Sequence, residues 1–319
     1  MRMVTIATIV VAIMLAIAGC LTPLVSPQPL RPVARQLLAP VPAPASPLAG
    51  VYEPGAPGSW SQIAEFADST SVQPRIVEYY SPWNGHFSTS FAQTAWKHHA
   101  YVLVQLQPIG VSLASVAAGA SDAYLRSYAR DVAAFGHPVI LSFGHEMNGT
   151  WYSWGAGHTS PATFVAAWRH VVRVFRAAEA GNVTWLWTVN SVTGVSSSLR
   201  QWWPGAAWVN WTGIDGYYYQ ATDTFASVFG PTIAEIRAFS HAPLLIAETA
   251  VGTTANRESQ IGALFAGVKA NHLAGAVWFD EAQHAGLYHQ DWRLENDPAA
   301  SAAFAAAMAA YLGAGDSSG

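Results

Sequence analysis

Cys20 is the only cysteine in the chain, so no disulfide can form within it. Charge is scarce as well. Charged residues make up 11% of the 319 positions, and the formal net charge is −4. The basic patch or stripe that a nucleic-acid binder needs is missing, which excludes nucleic acid as a partner. Several catalytic signatures are also absent. "HEMNG" at 145–149 is not H-E-x-x-H, so a zinc-protease site has no support. No G-x-S-x-G elbow occurs, and "YEPGAPGSW" at 52–60 lacks the G-x-G-x-x-G spacing of a dinucleotide-binding turn. No internal repeat is visible. What the chain has in quantity is apolar surface, with 51% hydrophobic residues and 14 tryptophans. That is enough to bury a large core, with flat aromatic faces left over for a ligand. The length fits one large domain or two small ones.

The first residues read as a targeting segment. Arg2 gives a short positive start, and Val4–Ala18 is a nearly unbroken apolar run. Residues 1–19 are therefore expected to be a secretory signal. The sequence "IAGC" that closes it resembles the lipobox of bacterial lipoproteins. The resemblance implies cleavage before Cys20 and a lipid on its thiol, anchoring an exported protein on the periplasmic or outer face of the cell membrane. A cleaved signal without lipid and a retained spanning helix are the alternatives. Residues 20–48 hold eight prolines and are expected to form an extended tether. Residues 49–313 then form the folded domain, and 314–319 a frayed tail.

Beyond Ala49, short apolar runs alternate with amphipathic ones. Strands are expected at 50–53, 75–80, 100–107, 138–144, 183–189, 211–219, 243–248 and 274–280. Most are continuous apolar runs, as in parallel strands buried on both faces. Helices are expected at 59–68, 89–97, 226–240, 256–271 and 298–312. Two more are marked by their ends. One runs from a Ser121 cap to a Gly136 stop, and the other starts at a Ser160 cap with Pro161 in the first turn. Eight strand–helix units over about 265 residues predict an α/β fold, a (β/α)8 TIM barrel in a single catalytic domain, with a doubly wound open sheet as the runner-up.

In such a barrel the active site lies at the carboxyl ends of the strands. Those ends offer Glu53, Tyr80, Trp83, His145, Glu146, Asn148, Asn190, Asp215, Tyr217, Tyr218, Glu248, Trp278, Asp280 and Glu281. His98 and His99 precede the third strand, at the opposite face. Glu146 and Glu248 each close an apolar run that contains no other charge. An unpaired buried carboxylate is costly, so each is either paired or functional. The fourth and seventh strands face each other across the mouth. Two carboxyl groups across an aromatic cleft is the arrangement that glycoside hydrolysis uses. Tryptophan and tyrosine faces suit sugar rings, while Asn148 and His145 can bind hydroxyls. Trp83 is a further cleft candidate.

The stretch "GHEMNGTWYSWG" resembles the fourth-strand signature of glycoside hydrolase family 26, and "TGIDGYYY", "PLLIAETAVG" and "AGAVWFDE" follow in the family's order. The resemblance covers most of residues 50–312. It implies a retaining β-glycanase, an endo-β-1,4-mannanase first, with a mixed-linkage β-glucanase or a β-xylanase as alternatives. Glu146 would be the general acid/base and Glu248 the nucleophile, roughly 5–5.5 Å apart. His145 would position the pair and Trp151 would line the cleft. Tyr217, or its neighbour Tyr218, would hydrogen-bond the nucleophile, and Trp278 would lie under the sugar. At that separation Glu146 should be raised in pKa and Glu248 kept charged by its donors. No metal or organic cofactor is called for. The expected partners are a β-linked polysaccharide and, through Cys20, a membrane, with the protein a monomer. A lipid-anchored sugar-binding protein without catalysis is the reading from another class, and a solute-binding lipoprotein would need two lobes and a hinge.

Overall fold

The computed structural model describes residues 38–192, 198–282 and 290–312. The signal segment, Cys20, most of the Pro-rich stretch and the tail 314–319 lie outside the described residues. Eight strands close into a parallel barrel in sequence order: β1 (Leu48–Tyr52), β2 (Ile76–Pro82), β3 (Tyr101–Gln107), β4 (Val139–Phe143), β5 (Val183–Asn190), β6 (Trp211–Asp215), β7 (Leu244–Thr249) and β8 (Gly275–Phe279). The helices are α1 (Ser61–Thr70), α2 (Thr89–Lys97), α3 (Leu113–Ala117), α4 (Asp122–Phe135), α5 (Pro161–Ala177), α6 (Phe225–Val228), α7 (Gly230–Arg237), α8 (Arg257–Ala270) and α9 (Pro298–Leu312). This is the (β/α)8 architecture that the alternating apolar runs predict. Among the described residues, no helix is long and apolar enough to cross a membrane.

Local chemistry explains the boundaries. Ser160 accepts a hydrogen bond from the Thr163 amide and Pro161 occupies the first turn, so α5 starts there. Gly136 takes the left-handed conformation (φ 78°) that stops α4. Ser121 makes no side-chain cap, contrary to expectation; the acidic group in that first turn is Asp122. The helix expected at 226–240 is two. Pro231 lacks the amide proton that would continue α6, and α7 restarts with it in its first turn. The unforeseen α3 is a single turn capped by Ser112.

The strands bury both faces. Outward residues pack under the helices, while Ile76, Leu103, Ile140, Leu186, Trp211, Leu245 and Val277 pack inside the barrel. Val41 joins that interior, with its amide donating to Thr184 Oγ1 at 2.7 Å. The Pro-rich stretch was expected to run as a free tether to 48, but its described end, from 38, closes the amino-terminal face of the barrel. A buried apolar side chain and a satisfied amide tie it there. Nine of the 14 tryptophans are buried, so most of the aromatic excess is core.

Candidate active site

The carboxyl ends of the strands bring the acidic residues together. β2 alternates Ile76, Glu78 and Tyr80 into the barrel, so an apolar layer gives way to a carboxyl and then to a phenol at the mouth. On β7 the pairing register shifts on both sides, between Ile214 and Asp215 toward β6 and between Ile246 and Thr249 toward β8. This irregularity turns Glu248 toward the mouth although its neighbour Ala247 already faces inward. Glu146 sits just past β4, in a left-handed conformation (φ 52°) unusual for a residue with a side chain. Its amide donates to the Thr188 carbonyl at 3.0 Å, which fixes the turn to β5.

Each carboxyl has two donors. Tyr80 donates to Glu248 Oε1 at 2.5 Å and Tyr217 to Glu248 Oε2 at 2.7 Å. Asn190 donates from Nδ2 to Glu146 Oε1 at 2.6 Å, and the Trp151 indole N–H to Glu146 Oε2 at 2.8 Å. Both carboxyls are buried, at 7% and 5% exposure, whereas Trp151, bonded to Glu146, is 51% exposed. Tyr52 and Phe279 stack at 4.4 Å, and Tyr52 meets Tyr80 edge-on at 5.2 Å.

Burial raises both carboxyls above the ordinary carboxylate range. The charge of Glu146 adds to the rise at Glu248, which is pushed up to about 8 against the pull of its two tyrosine bonds. The expected split, with Glu146 raised and Glu248 low, is therefore not what the surroundings produce. Both are raised, so the two titrate as a pair and not as one acid beside one permanent carboxylate. Beneath them lie two more buried carboxyls, Glu78 and Asp215, both raised first by burial and then by the charge of Glu248. Gln105 donates to Glu78 at 2.8 Å, and a backbone hydrogen bond from Glu248 opposes part of the rise at Asp215. Among the described residues, the charges that act most on Glu78, Asp215 and Glu248 are those of the carboxylates Glu146 and Glu248, not of a lysine or arginine.

The other expected residues divide. Tyr217, not Tyr218, bonds Glu248; Tyr218 is fully buried against Phe229. His145 touches neither carboxyl. Its Nε2 lies 3.1 Å from the Tyr152 hydroxyl, and burial pushes its pKa down to about 3, so it stays neutral. Asn148 does not reach the cleft. It is buried, exchanging two hydrogen bonds with the Asn190 backbone at 2.8 and 2.9 Å, and so holds the residue that bonds Glu146. Trp83 is a core residue packed on Tyr124 and Phe143. Trp278 points outward onto Phe304, and the next residue, Phe279, takes the inward position, because strand neighbours face opposite sides. Tyr80 and Asn190 stood among the strand ends without a role. Glu78 was missed, although a charge inside "RIVEYY" was the available signal.

A closed barrel with two buried, mutually repelling carboxyls at one rim, each held by its own donors and flanked by aromatics, defines the class of barrel glycosidases. The comparisons with known proteins agree. Residues 79–307 match the model of glycosyl hydrolase family 26, and the chain belongs to that family. It is 30% identical over 273 residues to Endoglucanase H of Acetivibrio thermocellus, a match covering 80% of this chain and 30% of that protein. A Bifidobacterium adolescentis mannan endo-1,4-beta-mannosidase is 32% identical over 82 residues, or 25% of this chain and 8% of that one. The chain thus spans less than a third of either relative. Among solved structures, a modular endo-beta-1,4-mannanase from Cellulomonas fimi has a TM-score of 0.61 at 18% identity, covering 81% of this chain and 70% of that one. At that identity it shows the fold alone.

Proposed function

We propose that the chain is a retaining hydrolase of a neutral β-linked polysaccharide, with β-1,4-mannan as the first substrate. The observation that carries it is the pair Glu146 and Glu248, both buried at one rim and each held by two side-chain donors. In the first step the Glu248 carboxylate attacks the anomeric carbon. The bond to the leaving sugar breaks, and Glu146 gives its proton to the departing oxygen. In the second, water attacks the same carbon and loses a proton to Glu146, and the ester bond breaks to restore Glu248. Tyr80 and Tyr217 favour the charged nucleophile before the first step and after the second. A neutral substrate is favoured by charge: a uronic-acid polymer would lie against Glu146 and Glu248, with the buried Glu78 and Asp215 close behind. The long match to Endoglucanase H supports a second reading, hydrolysis of β-glucan. Attachment to a membrane through a lipid on Cys20 completes the proposal.

Release of reducing sugar from mannan, glucomannan, barley β-glucan, xylan and polygalacturonate tests this directly. Activity on mannan or glucomannan supports the first reading, and activity on β-glucan alone selects the second. Activity confined to polygalacturonate, or none on any polymer with both glutamates intact, refutes the proposal.

A further inference from the structure

The segment that follows β8 carries a residue with no place in the chemistry so far. Trp292 is buried, and its ring lies 4.7 Å from that of Tyr217 at an interplanar angle of 19°. Tyr217 is the donor to Glu248 Oε2. Edge contacts from Phe279 at 5.8 Å meet both rings. The backbone around Trp292 is held from the end of β8. The Trp292 amide donates to the Glu281 carbonyl at 3.1 Å, and its own carbonyl accepts from the Trp278 indole at 3.0 Å. Asp280 Oδ1 accepts from that indole at 3.0 Å and from the Leu294 amide at 2.9 Å. Farther along, Arg257 reaches the Arg293 carbonyl at 3.4 Å and Asp297 at 3.0 Å. A buried acid and a buried indole thus hold Trp292 and Leu294, and what they fix is one tryptophan face behind one tyrosine.

We propose that Trp292, held by Asp280 and Trp278, is a positioning residue that fixes the plane of Tyr217 so that its hydroxyl stays on Glu248. The inference rests on the reading of Glu248 as nucleophile. A tyrosine ring free to turn about its side-chain torsions carries its oxygen away from a carboxylate that it must meet within a few tenths of an ångström. An offset stack against a rigid neighbour removes that freedom. This also gives Trp278 a role other than the sugar contact expected of it: its indole N–H is spent on the clamp.

The test is a double-mutant cycle of Trp292→Ala and Tyr217→Phe, read as the pH dependence of kcat/KM on the polymer that the enzyme degrades. Trp292→Ala is expected to lower kcat/KM about 3- to 10-fold and to move the acid limb upward by about half to one pH unit, in the same direction as Tyr217→Phe. In the Tyr217→Phe background the same change should cost less than about twofold, because no hydroxyl is left to place. Trp292→Phe, which keeps a flat ring, should restore most of the loss. Equal losses in both backgrounds, or an unmoved acid limb, would overturn the proposal. Should Trp292→Ala fail to fold, Trp292→Leu fills the volume without a flat face and carries the same cycle. If Glu248 were not the nucleophile, Tyr217→Phe alone would leave the limb in place; if only the clamp is misread, Tyr217→Phe moves it and the Trp292 variants do not.

Discussion

Tyr80→Phe removes one oxygen and isolates a single contribution to the nucleophile. The lost bond, at 2.5 Å to Glu248 Oε1, joins a neutral donor to a buried carboxylate. Hydrogen bonds to charged groups contribute about 1.5–3 kcal/mol. At about 1.4 kcal/mol per pH unit, its removal should raise the proton affinity of Glu248 by about one to two units. Glu248 already stands near 8, lifted by burial and by the charge of Glu146. Below that pH each added unit removes about nine-tenths of the remaining ionised form, so kcat/KM at pH 7 should fall roughly 10- to 100-fold. The acid limb of the pH profile should move upward by the same one to two units. The assay is initial rates of reducing-sugar release from pH 4 to 9 under subsaturating substrate, beside a thermal melt to show that the fold survives. A rise in KM with an unmoved acid limb would refute the reasoning and make Tyr80 a sugar contact only.

Three further outcomes follow. Glu248→Ala should abolish turnover on every substrate, whereas Glu146→Ala should keep measurable activity on aryl glycosides with good leaving groups, which need little protonation; identical behaviour on an activated aryl glycoside would mean the roles are wrongly assigned. Glu53 is buried beside Asp280 and Glu295, and burial first, then their charges, push it up to about 10. A native value above the unfolded one makes stability greatest below the unfolded pKa and lowers it as pH rises toward 10. Glu53→Gln should therefore stabilise the protein at pH 7 by up to about 3 kcal/mol and flatten the fall in urea stability between pH 5 and 8; parallel curves would contradict this. The protein from bacterial cells grown with labelled palmitate should carry the label and Cys20→Ser should lose it, and an unlabelled Cys20 protein would rule out the anchor.

The fold was legible because each strand is a run of apolar residues bounded by turn chemistry, and each of the longer helices a run at helical spacing. The pair Glu146 and Glu248 was legible for a related reason, since a carboxyl at the end of such a run demands a partner. The rest depended on which way a side chain faces. Trp278 and Phe279 differ by one position, and only pairing with β1 decides which enters the barrel. Glu248 faces the mouth through a register shift that no local propensity encodes. His145 and Asn148 are polar residues in a cleft motif, yet their hydrogen bonds are spent on Tyr152 and on the Asn190 backbone. Those partners come from distant turns or a short loop, and sequence spacing does not display them. Trp292 lies well past β8, and its stacking on Tyr217 is a contact between residues 75 positions apart that no spacing displays.

The most direct test of the account is covalent capture. Incubation with an activated 2-deoxy-2-fluoro glycoside of the preferred sugar slows breakdown of a glycosyl-enzyme, and mass spectrometry of the digested protein then locates the sugar. The account predicts one sugar per chain, on the peptide that contains Glu248 and on that side chain. A label on Glu146, or no label alongside products of inverted configuration, would contradict it.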